Sequence, residues 1–141
     1  MKIALASDHG GVELKDLLRD YLVTKGYEVT DFGTEGKESC DYPDFARPAA
    51  MSVAKGECDK GIIVCTTGIG VSIVANKVKG VRCALCTNVD MASMSRRHND
   101  ANVLAMGQKY VTFELAKLMT DAFLTTEFDG GRHRARVNKI E

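Results

Sequence analysis

The chain has 141 residues, 45% hydrophobic and 27% charged, ordinary values for a single globular domain spanning residues 1–141. A domain of this length buries roughly 70% of its unfolded surface, so it needs no metal or disulfide staple to fold. Nineteen basic residues balance nineteen acidic ones, which excludes a global attraction to nucleic acid or an anionic membrane and leaves only local anion sites.

Lys2–Ala6 is an apolar run that predicts a first strand. Leu14, Leu17, Leu18, Tyr21 and Leu22 recur at helical spacing, and Gly26 stops that helix. Tyr27–Phe32 predicts a second strand. Ala46, Ala49, Ala50, Val53 and Ala54 make a small-residue helical face, with Pro43 and Pro48 flanking its start. Gly61–Cys65 is a continuous apolar run of the kind found in a strand covered on both faces. A helix follows it to about Lys77. Val81–Leu85 predicts a fourth strand, Val89 to about Arg97 a helix, and Asn102–Met106 a fifth strand. Leu115, Leu118, Met119, Ala122 and Phe123 stripe the last long helix. After Asp129-Gly130-Gly131, positive charge concentrates at Arg132, His133, Arg134 and Arg136.

Strands alternating with helices point to an α/β fold, a parallel sheet flanked on both sides. Ligands then bind beyond the carboxyl ends of the strands, which selects the loops Ser7–Gly11, Cys65–Gly70 and Thr87–Val89. The polar start is too short for a secretory signal, and no apolar run approaches the ~18 residues of a membrane span. The expected location is cytoplasmic. Five cysteines, an odd count without small-scaffold spacing, fit a reducing compartment. Cys83 and Cys86 form a C-x-x-C inside an apolar run with no second Cys/His pair nearby, so they read as buried thiols rather than zinc ligands.

Four polar clusters could carry chemistry. Cys65-Thr66-Thr67-Gly68-Ile69-Gly70 follows a buried strand and opens a helix, where backbone N–H groups and the helix dipole can hold an anion and favour a thiolate. It lacks the third glycine of a dinucleotide fingerprint and the Gly-Lys-Ser/Thr of a P-loop, so by itself it is either an anion site or a tight turn. Asp8 and His9 end the first strand and suit hydroxyl binding and proton transfer, or simply cap a helix. Ser95 to Asn102, with Arg96, Arg97, His98 and Asn99, is a second polar group or a helix end complementing its dipole. Arg132 and Arg136, four apart, share a face if helical and could grip one phosphate with forked donors. The three histidines, His9, His98 and His133, each fall in one of these clusters, but no two share a helix at ligand spacing, so no metal is expected.

Five segments taken together resemble the ribose-5-phosphate isomerase B family across essentially the whole chain. They are Ser7-Asp8-His9-Gly10-Gly11, Asp41-Tyr42-Pro43-Asp44-Phe45, Cys65-x-Thr67-Gly68-Ile69-Gly70 with Ala75-Asn76-Lys77, Met94-Ser95-Arg96-x-His98-Asn99-x-Ala101-Asn102, and Gly130-Gly131-Arg132-His133. The galactose-6-phosphate isomerase subunits form a sister branch, and the cysteine heading the loop favours the ribose branch. The resemblance implies a Rossmann-like three-layer α/β/α sandwich around a five-stranded parallel sheet, a homodimer or dimer of dimers, no cofactor, and a phosphorylated sugar as substrate. Each active site would combine Asp8, His9, Tyr42, Cys65, Thr67, Gly68, Ile69 and Gly70 of one subunit with His98, Asn99, Arg132 and Arg136 of its neighbour.

In that reading Cys65 removes the proton next to the carbonyl, and Thr67 and the N–H groups of Gly68–Gly70 stabilise the enediolate. His98 assists ring opening, Asp8 positions hydroxyls, and His9, Arg132 and Arg136 hold the phosphate. Two positions depart from the family pattern: Thr66 replaces a usual glycine, and Lys109 replaces an expected phosphate-binding arginine. A hexose substrate such as allose or galactose 6-phosphate therefore stays open. So do a non-catalytic phosphosugar-binding module and a flavodoxin-like nucleotide or redox protein.

Overall fold

The structure is a computed structural model that describes all 141 residues. Five strands alternate with five helices in the order β1 (Lys2–Ser7), α1 (Val12–Thr24), β2 (Glu28–Asp31), α2 (Pro43–Ala54), β3 (Lys60–Cys65), α3 (Ile69–Asn76), β4 (Cys83–Leu85), α4 (Val89–Asn99), β5 (Val103–Gly107) and α5 (Phe113–Thr125). A short α6 (Arg132–Val137) follows. All pairings are parallel, and the sheet order is β2-β1-β3-β5-β4. This is the Rossmann-like α/β/α sandwich expected from the sequence.

Side chains alternate across the pleat and so feed two cores. Ile3, Leu5, Ile62, Val64, Leu104 and Met106 face α1, α4 and α5, where Leu18, Met119 and Phe123 complete the packing. Burying one such large side chain contributes about 2–3 kcal/mol. Ala4, Ala6, Ile63, Cys65, Val103 and Ala105 face α2 and α3. That side is built from small residues, with Ala46, Ala49 and Ala50 letting α2 lie close to the sheet.

One charged residue enters the first core. Lys15, on α1, is fully buried, and its Nζ donates to both Asp31 oxygens at 2.9 and 2.7 Å. Arg19 adds a contact to Asp31 at 3.1 Å. This cluster joins α1 to the end of β2.

The predicted boundaries shift where side chains take over the ladder. β4 begins at Cys83 rather than Val81, because the Arg82 N–H donates to Asn102 Oδ1 and the Val81 N–H closes a turn onto Val78. α4 continues two residues past Arg97 to include His98 and Asn99.

Candidate active site

The strand order reverses between β1 and β3: β2 lies on one side of this pair, and β5 and β4 on the other. A crevice opens at the carboxyl ends of strands at such a switch point. Ser7 is in register with Val64, and Cys65 with Gly107. Asp8 and Cys65 therefore head adjacent loops, one strand spacing apart.

Cys65 is 5% exposed, and its Sγ accepts the Gly68 N–H at 3.1 Å. A donor aimed at the sulfur solvates the thiolate, the form that acts as a base. The turn that makes this contact needs glycine. Gly68 has φ 80°, and a Cβ there would lie 2.6 Å from Leu85 and 2.7 Å from the Met106 carbonyl carbon. Thr67 Oγ1 accepts the Ile69 N–H at 3.2 Å, which leaves its hydroxyl hydrogen free to donate outward. Two of the N–H groups expected to cradle the anion thus have partners inside the loop. Gly68 serves the sulfur, and Ile69 orients Thr67.

The neighbouring loops close on this turn. Tyr42, at the start of α2, lies with its ring against Gly70, so close that a Cβ at Gly70 would be 2.7 Å from the ring. Thr66 packs its hydroxyl against Gly10, which holds the Asp8–Gly11 loop to the Cys65 loop. Asp8 is buried, and its Oδ1 accepts the Gly10 N–H at 2.9 Å. His9 is exposed, and its Nδ1 accepts the Cys40 N–H at 3.2 Å. A neutral His9 accordingly carries its proton on Nε2, the nitrogen left free for a ligand. Lys109 reaches the same rim, where its backbone N–H donates to the Thr66 carbonyl at 3.0 Å.

The remaining candidates gather elsewhere. His98, Asn99, Arg136, Val137 and Ile140 line a cavity of about 400 Å³ together with His133, and none of the strand-end residues reaches it. The His98 and His133 rings stack with centroids 4.2 Å apart. Partial burial, followed by the positive charges of His98, Arg132 and Arg136, holds the His133 imidazole below the ordinary histidine range. Arg132 and Arg136 lie on α6, as their spacing suggested. α4 carries His98 and Asn99 away from the carboxyl ends: its 11 residues descend along the sheet toward the start of β5, roughly 16 Å at 1.5 Å per residue. Within one chain, Cys65 and His98 therefore sit at opposite ends of the sheet.

The sequence placed His133 in the basic tail without giving it a role, and it gave no sign of Asp129 beside it. The ligand atoms of His98, Asp129 and His133 lie within 4.8 Å of one another, drawn from three segments. The ring planes are only 12° apart, so their in-plane lone pairs run side by side rather than converging on one ion. Asp129 is also paired with Arg97 at 3.2 Å. The signal was present in the sequence only as three histidines that all avoided apolar stripes.

Of the C-x-x-C thiols, Cys86 is buried, while Cys83 is only partly so and lines a surface cavity of about 710 Å³ between α3, β4 and the C-terminal residues. Burial pushes the Cys86 thiol up to about 11, and burial together with neighbouring Cys86 pushes Cys83 up as well. Both stay protonated near neutrality.

A family profile described as Ribose/Galactose Isomerase matches residues 3–140. The chain is 48% identical over 139 residues to ribose-5-phosphate isomerase B of Escherichia coli, covering 99% of this chain and 93% of that one. Among solved structures, ribose-5-phosphate isomerase B of Clostridium thermocellum is 57% identical with a TM-score of 0.98, covering 99% of this chain and 95% of that one. The Mycoplasma genitalium ribose-5-phosphate isomerase B with bound ribulose-5-phosphate is 42% identical with a TM-score of 0.95, covering 99% and 93%. A profile match over residues 3–140, and 48% identity across 99% of the chain, mean that the chain belongs to the ribose/galactose isomerase family.

Proposed function

We propose that the protein interconverts ribose 5-phosphate and ribulose 5-phosphate through an enediolate, with Cys65 as the base. The observation that carries this reading is the Cys65 thiol at the carboxyl end of β3, with the Gly68 N–H on its sulfur and the Thr67 hydroxyl two residues on. The thiolate takes the proton from C2 of the open aldose, and the C2 electron pair forms the enediolate with negative charge on O1. Returning that proton to C1, and moving the O2 proton to O1, gives the ketose. Thr67 O–H and the free first-turn N–H groups of α3 face the developing oxyanion. Asp8 orients the hydroxyls, and Tyr42, packed on Gly70, walls the pocket.

His98, Asn99, Arg132 and Arg136 enter this site from a second copy of the chain, giving a homodimer with two shared sites. This part of the reading rests on the separation of Cys65 and His98 along the sheet. It is supported by Ile69 and Ile73, 50% and 55% exposed on the outer face of α3, an apolar stripe for a partner to cover. His9, Arg132 and Arg136 then hold the phosphate, with Lys109 at the rim, and binding energy from that remote group helps orient the reacting carbons. A cytoplasmic location accords with five free thiols.

Kinetics on a panel of pentose and hexose phosphates test the substrate. The expected result is the highest kcat/KM on ribose 5-phosphate, and preference for a hexose 6-phosphate would reassign it. Subunit mixing tests the shared site. Cys65→Ala and His98→Ala proteins are each impaired, and after subunit exchange a mixed dimer regains one intact site and measurable turnover.

A further inference from the structure

We infer that Asp100 is a positioning residue for ring opening, holding His98 at the angle at which it enters the partner's site. The inference rests on the proposed role of His98. Asp100 is the one non-glycine residue with positive φ, at φ 47° and ψ 42°, and it comes directly after the two site residues that end α4. The left-handed conformation is disfavoured for most side chains by about 1–2 kcal/mol and persists where surroundings over-determine it, often beside functional residues.

Two arginines supply that over-determination. Arg82 Nε donates to the carbonyls of both Asn99 and Asp100, each at 3.1 Å, and its Nη2 donates to the Asp100 carbonyl at 2.9 Å. Arg82 Nη2 also lies 3.4 Å from the Asp100 carboxylate. The other carboxylate oxygen accepts Arg96 Nη1 at 2.9 Å. Arg96 is 8% exposed; it also donates to the carbonyls of Ala101 and, at 3.1 Å, of Thr126. One guanidinium is thus fixed to the backbone of Asn99, and the other ties α4 to the end of α5. Asp100 bridges them. None of the three side chains belongs to the sugar or phosphate contacts assigned above, yet together they fix the exit of α4 just after His98 and Asn99. A shift of about 1 Å in a reacting group can cost on the order of 100-fold in rate.

The test exploits a chemical asymmetry. Ribose 5-phosphate is mostly a closed furanose and must be opened. Ribulose 5-phosphate cannot close such a ring, because O5 carries the phosphate. Exchange of its C1 hydrogen with deuterated solvent needs Cys65 but no ring opening. Asp100→Ala is expected to lower ribose 5-phosphate turnover by ten- to a hundred-fold while C1 exchange into ribulose 5-phosphate stays within about threefold of wild type. Adding Asp100→Ala to His98→Ala should cause no further loss, since both act on one step. Asp100→Asn, which tolerates the left-handed backbone and keeps one acceptor, should restore most turnover. If the alanine protein does not fold, Asp100→Gly removes the carboxylate without straining the backbone and should show the same split. Wild-type turnover in both the Ala and Gly variants, parallel loss of C1 exchange, or additive loss with His98→Ala would overturn the positioning role. Wild-type turnover in His98→Ala alone would remove the role of His98, and this inference with it.

Discussion

The His98 and His133 rings lie face to face, 4.2 Å between centroids and 12° between planes, and so join the C-terminal turn of α4 to α6. The arrangement is pH-sensitive. Burial, His98, Arg132 and Arg136 all disfavour protonation of His133, and Asp129 opposes them weakly. A lowered folded-state value means that the neutral stack contributes stability above the ordinary histidine range, and that this contribution is lost as pH falls through the depressed value. In an NMR titration of the free protein, His133 should protonate at a lower pH than a solvent-exposed histidine. His98→Ala should raise its midpoint, and so should phosphate bound at Arg132 and Arg136. A His133 midpoint unmoved by both would show that the ring does not feel this cluster.

Gly68→Ala should damage catalysis more than its size suggests. The added Cβ meets Leu85 and the Met106 backbone at under 3 Å, and φ 80° is itself unfavourable for alanine. Relief moves the N–H away from Cys65 Sγ. A hydrogen bond to a charged group is worth about 1.5–3 kcal/mol, so losing this donor to the thiolate should lower turnover on the order of ten- to a hundred-fold. The expected signature is a fall in kcat and in C1 exchange together, since both need Cys65. Unchanged C1 exchange in a folded Gly68→Ala protein would argue against a role for this N–H.

Much of this site was legible because its parts are local. The strand-to-helix loops at Asp8 and Cys65 follow apolar runs, and residues in one loop stay together in any fold. Pairings between distant segments were not legible. No pattern in β5 says that it inserts between β3 and β4, and only that insertion fixes Gly107 beside Cys65. Lys15 sits on the buried face of α1 against the hydrophobic pattern, because Asp31 arrives from β2 to neutralise it. Thr66, where the family pattern has glycine, lies with its hydroxyl against Gly10, a contact between two loops that no spacing announces. His133 stood out only as one of three histidines in polar clusters, because its stacking on His98 has no sequence spacing to betray it.

The Lys15–Asp31 pair predicts a stability effect separable from activity. Partial burial would raise the Asp31 carboxyl, but Lys15, the Gly33 N–H and Arg19 together hold it below the ordinary carboxylate range. The pair therefore stabilises the fold above the unfolded carboxylate value, and its contribution is lost as pH falls through the depressed one. Asp31→Asn removes the closer of two carboxylates from the fully buried Lys15 ammonium and leaves only the half-exposed Asp16, at 3.0 Å. An uncompensated buried charge costs about 3–5 kcal/mol, and with Asp16 still in place the loss should fall below that. Urea unfolding should show this loss at pH 7 and a smaller one near pH 3. An equal loss at both pH values would mean that the charge contributes nothing.

The outer face of α3 tests the assembly. Ile69 borders the Cys65 loop, so Ile73, one turn further on and 55% exposed, is the cleaner position. A glutamate there costs the monomer little, since the side chain already faces solvent. In a dimer it would bury a charge against an apolar partner surface, at several kcal/mol per interface. Ile73→Glu should therefore shift the mass measured by light scattering from two chains to one, with circular dichroism unchanged. Activity should fall with the dimer fraction, because a single chain holds Cys65 and His98 at opposite ends of β5. Raising the protein concentration should restore both together. A monomeric Ile73→Glu protein with full turnover would place a complete site within one chain, and the arginines of α6 would then need another task.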